Sequence, residues 1–176
     1  MAEELSQRPD DTRTLIIMRH AEADWGMDDF NRPLTSRGHL QARTAGEWLH
    51  HTGTLPEMIV SSAALRTRQT TTWVCEALGE KAPTASLDER LYNAPARMLR
   101  QCIENTPDSV RSMMLVAHLP GVQDAAMDLM SSTSDYESLM DISYGFPPSS
   151  IAVFEVDTSW SELLDHDARL VSFRTF

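Results

Sequence analysis

The sequence predicts an α/β fold, a mostly parallel sheet covered by helices on both faces. Three observations carry the prediction. First, Leu15 to Met18, Met58 to Val60 and Met113 to Ala117 are wholly apolar runs, too short for helices and suited to strands buried on both sides. Second, the segments between them carry apolar residues at helical spacing and stop at glycine or proline. Third, the order β-α-β-α-(β)-α-β-α-β-β is the alternation that builds a parallel sheet through crossover helices. The 176 residues are 41 % apolar and 23 % charged, with only 7 Gly and 9 Pro, so the chain can bury a core. Disordered, collagen-like and disulfide-scaffold proteins are excluded by the same fractions.

Each element follows in order. Residues 1–13 are polar and acidic and read as a flexible leader, with one domain over 14–176. After the first strand, Thr35 is placed to cap a helix in which Leu40, Thr44, Ala45, Trp48 and Leu49 recur, closed by Gly53. After the second strand, Ser61 or Ser62 is available as a cap. The next helix is expected to bury Ala64, Thr71, Val74, Cys75 and Leu78 before Gly79. Thr84 to Leu87 is expected as a short edge strand. Pro95 opens a helix with Leu99, Cys102 and Ile103. The helix after Pro120 carries Val122, Ala125, Ala126, Leu129 and Met130. Residues 131–149 read as an irregular insertion, and Ile151 to Val156 and Leu170 to Phe173 as two closing strands.

Charge and cysteines narrow the partners and the compartment. Asp and Glu number 26 against 15 Lys and Arg, a net charge of −11. Such a field repels nucleic acid and anionic membranes, so neither is expected as a partner. No stretch is long and apolar enough for a membrane span, and the start shows no secretory signal. With Cys75 and Cys102 in unrelated segments, a cytoplasmic location is expected. All the cations except Lys81 are arginine, the side chain whose planar fork grips phosphate.

Sites in open α/β sheets form at the carboxyl ends of the strands. Arg19 and His20 leave the first strand, Ser61 and Ser62 the second with Arg66 one turn further, and His118 the third. Each alone has an ordinary explanation: a solvated Arg-His loop, a hydrogen-bonded core histidine, a solvated arginine face. Together they deliver two arginines and two histidines to one edge. Phosphoryl transfer needs such a set, cations for the non-bridging oxygens and an in-line nucleophile. His39, His50, His51 and His166 show no metal-ligand spacing, and no glycine-rich nucleotide loop is present. Trp48 and Trp73 read as core, whereas Trp25 could line a pocket.

Leu15-Ile-Ile-Met-Arg-His-Ala-Glu-Ala23 resembles the RHG signature of the histidine phosphatase superfamily, the phosphoglycerate-mutase-like fold. Arg32-Pro-Leu-Thr-Ser-Arg-Gly38, Val60 to Thr70, Glu89-Arg-Leu-Tyr-Asn-Ala94 and Leu115-Val-Ala-His-Leu-Pro-Gly121 continue the match in order. In so short a chain the set is most similar to SixA-like phosphohistidine phosphatases. The resemblance implies a three-layer α/β/α sandwich and a phosphatase in which His20 becomes transiently phosphorylated. Arg19 and Arg66 would bind the phosphoryl oxygens, with His118 as a donor and no metal or other cofactor. Its substrate would be a phosphohistidine protein or a small phosphorylated molecule. A broad-specificity phosphomonoesterase, a mutase and a non-catalytic phospho-ligand module are the alternatives. Little chain is left for a mutase's capping insertion, and no member of the four-residue set is missing.

Two positions stay open in the sequence. Ala21 stands where the signature has glycine, and costs little only where its φ is negative. Glu89 lies where many members of the superfamily place a general acid, but equally reads as a surface carboxylate paired with Arg90 or Arg97. Glu22 and Asp24 could reach the mouth, or serve only to solvate their loop. Phosphohistidine expels an imidazole whose conjugate acid has a pKa of about 6.5, so its cleavage makes no demand for a dedicated acid.

Overall fold

A computed structural model describes residues 11–26 and 28–176. Most of the expected leader, residues 1–10, lies outside the described residues. Arg13, its last residue, already belongs to the first strand. The strands are β1 (Arg13–Arg19), β2 (Met58–Ser62), β3 (Ser86–Asp88), β4 (Ser112–Ala117), β5 (Ile151–Val156) and β6 (Ala168–Arg174). They form one sheet in the order β3-β2-β4-β1-β5-β6. β3, β2, β4 and β1 run parallel, and β5 and β6 close the β1 edge antiparallel.

The helices are α1 (Ser36–Thr52), α2 (Leu65–Leu78), α3 (Ala96–Glu104), α4 (Gly121–Leu129) and α5 (Tyr136–Tyr144). The period of two in each strand splits the core into two layers. Ile16, Met18, Ile59, Met114 and Val116 meet Ala45 and Leu49 of α1 and Val74 and Leu78 of α2. Leu15, Ile17, Met113 and Leu115 face the other way, against Leu99 and Ile103 of α3, Ala125 and Leu129 of α4 and Ile142 of α5. The three layers predicted from alternation are therefore present.

Thr35 caps α1 by accepting from the Gly38 amide at 3.0 Å, and Gly53 ends it at φ 70°, a conformation that costs an L side chain more than glycine. Gly38 is needed for another reason: a Cβ there would stand 2.0 Å from the Glu22 carbonyl oxygen. The loop after β1 is thus pressed against the start of α1.

Several expectations need correction. Leu40 and Thr44 of α1 are exposed, and the buried face runs through Gly38, Gln41, Ala42, Ala45, Gly46 and Leu49. Ser61 and Ser62 belong to β2, and α2 begins at Leu65 with Ala64 as an N-cap that makes no side-chain hydrogen bond. Cys75 is only half-buried, while Arg66, Thr67 and Thr70 join the buried face of α2. The edge strand falls at Ser86–Asp88 rather than Thr84 to Leu87. The stretch 131–149 contains α5, capped by Asp135, whose carboxylate accepts from the Ser138 amide. Trp48 and Trp73 are half-buried at the rim of the core, and the fully buried tryptophan is Trp160.

Candidate active site

Register decides what meets at the carboxyl edge. Arg19 pairs with Ala117 across β1 and β4, so His20 and His118 are the next residues of adjacent parallel strands. The His20 amide donates to the Ala117 carbonyl at 3.1 Å, and the two imidazoles lie 5.3 Å apart. β2 ends beside them at Ser62, and α2 then brings Arg66 back one turn in. The loop before β5 closes the fourth side. Its Ser150 carbonyl accepts from the Arg19 amide, its Ser149 amide donates to the His20 carbonyl, and the Phe146 carbonyl accepts from Arg19 Nη1 at 3.0 Å. Ser149 holds a φ of 65°, a left-handed conformation uncommon for a residue other than glycine.

His20 is buried, and its Nδ1 lies 2.7 Å from the Ala21 carbonyl. A carbonyl only accepts, so Nδ1 carries the proton and Nε2 keeps its lone pair. Burial, then the charges of Arg19, Arg66 and Arg32, push the His20 pKa down to about 3, against the pull of the Ala21 carbonyl. His118 is likewise pushed down to about 3, by burial first and then by His20 and Arg66. Both rings are neutral at pH 7. Ser62 Oγ accepts from the Ala64 amide and lies 2.7 Å from His118 Nε2. With the Ser62 hydroxyl donating to that nitrogen, the neutral ring carries its proton on Nδ1, the tautomer that leaves a donor for an incoming anion.

Arg19 Nε, Arg66 Nε and His118 Nδ1 are buried without a partner among the described residues. Three partnerless polar nitrogens near the carboxyl edge of the sheet, two of them cationic, are the donor set that an anion with several oxygens would satisfy. Burial and the proximity of Arg66 lower the Arg19 pKa from its ordinary value, a sign of how closely the cations are packed.

The remaining predicted residues fall as follows. Ala21 has no positive φ, so its methyl is accommodated where the signature has glycine; its amide is held by Thr70 Oγ1 at 3.0 Å. Glu89 is exposed in a 3-10 turn (Glu89–Leu91), and Arg90 pairs with Asp88 instead of with it. Glu22 accepts from Thr35 Oγ1 at 2.9 Å and faces Arg37 at 3.7 Å, so it staples the start of α1. Asp24 accepts from the Trp25 amide in the loop. Trp25 is 89 % exposed under the Arg32 guanidinium and does not line a buried pocket. His39 accepts from Trp73 Nε1, and His166 meets the Met130 carbonyl, both away from the site.

Sequence reasoning missed Asp29, Tyr92 and Asn93. The Asp29 carbonyl accepts from Arg66 Nη1 at 2.7 Å, and its carboxylate lies 3.4 Å from Arg66 Nη2. Tyr92 donates its hydroxyl to that carboxylate, stacks edge-on against His118 at 5.7 Å and lies under the Arg66 guanidinium. Asn93 Oδ1 accepts from Arg66 at 3.3 Å. The Glu89 to Ala94 motif held Tyr92 and Asn93 in plain view; Asp29 sat in a polar loop with no signal of its own.

A model of the histidine phosphatase superfamily (branch 1) matches residues 15–119. A relative in Mycobacterium tuberculosis (strain ATCC 25618 / H37Rv), itself uncharacterised, is 35 % identical over 159 residues, 89 % of this chain and 98 % of its own. Among solved structures, a SixA assigned to the phosphohistidine phosphatases from Nakamurella multipartitia superposes with a TM-score of 0.80. It is 26 % identical over 95 % of this chain and 98 % of that one. A SixA with the same assignment from Agrobacterium tumefaciens gives 0.77 at 26 % identity, covering 93 % and 99 %.

Proposed function

The chain belongs to the histidine phosphatase superfamily in its SixA-like form, and on that premise we propose that it hydrolyses phosphohistidine through a phosphorylated His20. One observation carries the reading. The Ala21 carbonyl fixes the His20 proton on Nδ1, so a neutral Nε2 lone pair stands beside Arg19, Arg66 and His118.

The steps follow from these atoms. The His20 Nε2 lone pair forms the new N–P bond as the substrate N–P bond breaks. That bonding pair goes to the substrate ring, which leaves as neutral imidazole when its other nitrogen carries a proton. Arg19, Arg66 and His118 Nδ1 take the three phosphoryl oxygens and hold phosphorus in line. Water then attacks phospho-His20, the N–P pair returns to Nε2, and phosphate leaves with the water's protons. The low pKa of the free His20 keeps it unprotonated and nucleophilic at neutral pH.

The substrate class rests on the leaving group. No carboxylate takes part in the hydrogen bonds that hold His20 or His118 among the described residues, and the Glu89 side chain is exposed. An alkoxide departs poorly without an acid, whereas imidazole does not need one. The two arginines supply the charge that a divalent cation provides in other phosphoryl transferases, so turnover is expected to need no metal or other cofactor. The substrate partner is then a histidine-phosphorylated protein or a small phosphoramidate. Phosphate release from phosphohistidine and from an aryl phosphate, measured side by side, tests this. Turnover of phosphohistidine is expected, and hydrolysis of esters alone would contradict it.

A further inference from the structure

We propose that Asp29 selects the leaving group: its carboxylate, held over Arg66 at the pocket mouth, accepts the N–H of a departing imidazole ring. The assignment rests on the phosphohistidine reading above and names the residue that would enforce it.

Placement comes first. His20 is at the buried floor, so in-line displacement sends the leaving group towards solvent, on the opposite side of phosphorus. Asp29 meets solvent beside Arg66, and its charge is felt at His118. It belongs to a 3-10 turn (Asp29–Asn31), and its side chain is 49 % exposed while that of Arg66, which it touches, is 3 % exposed. A group in contact with both Arg66 and solvent is within reach of whatever leaves a phosphoryl group bound by Arg66.

The carboxylate is more than a tether. The shorter contact to Arg66, at 2.7 Å, is made by the Asp29 main-chain carbonyl, which any residue supplies. The side chain is itself held from several directions. Oδ2 accepts from the Tyr92 hydroxyl, with Arg66 Nη2 and Asn93 Nδ2 each at 3.4 Å. Oδ1 accepts from Arg32 Nε at 3.0 Å and keeps a second lone pair. The Tyr92 hydrogen bond, then Arg66 and Arg32, hold the carboxyl at a pKa of about 2, so it is an anion at any working pH. An anion held in place cannot protonate an alkoxide, but it can accept a hydrogen bond from a ring N–H.

Discrimination then runs in both directions. Phosphohistidine carries its labile proton on the ring nitrogen remote from phosphorus, and a carboxylate facing that N–H favours the form that departs as neutral imidazole. An ester leaving group gathers negative charge on oxygen, which the same carboxylate repels.

The test compares wild type with Asp29→Asn, which keeps the main-chain carbonyl and an acceptor oxygen for Tyr92. The substrates are phosphohistidine and 4-nitrophenyl phosphate, and inhibition by orthovanadate reports the phosphoryl cradle. The ratio of kcat/KM for phosphohistidine to that for the ester is expected to fall about 10- to 100-fold, the range for losing one hydrogen bond to a charged group. Equal losses on both substrates, with vanadate inhibition weakened in step, would overturn the assignment and leave Asp29 as a positioner of Arg66. An unchanged ratio would overturn it as well. A wild type that turns over the ester but not phosphohistidine would overturn the substrate reading itself, and this assignment with it.

Discussion

The floor and the mouth of the pocket are built by different physics. The floor is made of strand ends: Arg19 closes β1, and His20 and His118 follow β1 and β4 in strict register, both rings buried and neutral, with Arg19 Nε and His118 Nδ1 unpartnered among the described residues. The mouth is made of turns: Asp29, Tyr92 and Asn93 are partly or wholly exposed, and side-chain hydrogen bonds among them and to Arg66 set their positions. Sheet register is hard to alter without moving the core, whereas turns change freely. In this account the floor fixes the reaction and the mouth fixes what is accepted.

The largest effects should therefore come from the floor. His20→Gln is expected to lower turnover more than roughly 10⁴-fold on every substrate, as removal of a nucleophile does. A folded variant that kept substantial activity would erase the distinction between the two regions. Arg66→Ala should cost roughly 10²- to 10³-fold, the usual loss for one charge-stabilising donor, again regardless of leaving group. A loss confined to one substrate class would move Arg66 from the floor to the mouth.

The buried histidines also leave a mark on stability. His20 and His118 are unprotonated when folded down to a pH of about 3, whereas in the unfolded chain they titrate near 6.5. The unfolded state binds more protons between these values, so stability is fully present above pH 6.5 and is lost as pH falls towards 3. At pH 5 each contributes a loss of about 2 kcal/mol. Thermal denaturation of wild type and His118→Gln at pH 7.5 and pH 5 measures this, and a smaller acid-induced drop in Tm is expected in the variant. An identical drop would place the burial cost elsewhere.

The smallest effect is expected at the exposed Glu89. Glu89→Gln should change phosphohistidine and aryl phosphate turnover by less than about 3-fold, because general-acid catalysis, worth roughly 10²- to 10⁴-fold, is not in use there. Rates over three substrates of rising leaving-group pKa measure it. A loss in that range on alkyl phosphates alone would make Glu89 an acid and the enzyme an esterase.

The same division explains what the sequence made legible. Strand ends could be read because an apolar run followed at once by Arg-His or His is a local signal, and register did the rest. Thr35 and Gly53 were legible as helix ends for a similar reason, each acting within a few residues of itself. Asp29 was not, because its importance comes from Arg66 and Tyr92, 37 and 63 residues away in the chain. Ser62 looked like a helix cap, a common use of serine after a strand, but its hydroxyl is committed to His118 across 56 residues. α5 was hidden because it buries little beyond Ser138 and Ile142, too few positions for a helical period to stand out in a Ser- and Asp-rich stretch. Ala21 could be settled only by its backbone angle, which no side-chain pattern reports.

The central claim is the covalent step on His20, and trapping the phosphoenzyme tests it most directly. Wild type mixed with labelled phosphohistidine, quenched in alkali within the first turnover and mapped by peptide mass spectrometry, should carry acid-labile, alkali-stable phosphate on His20, and His20→Gln should carry none. Phosphate mapped to another residue, or full turnover with no enzyme-bound phosphate at any quench time, would contradict the account.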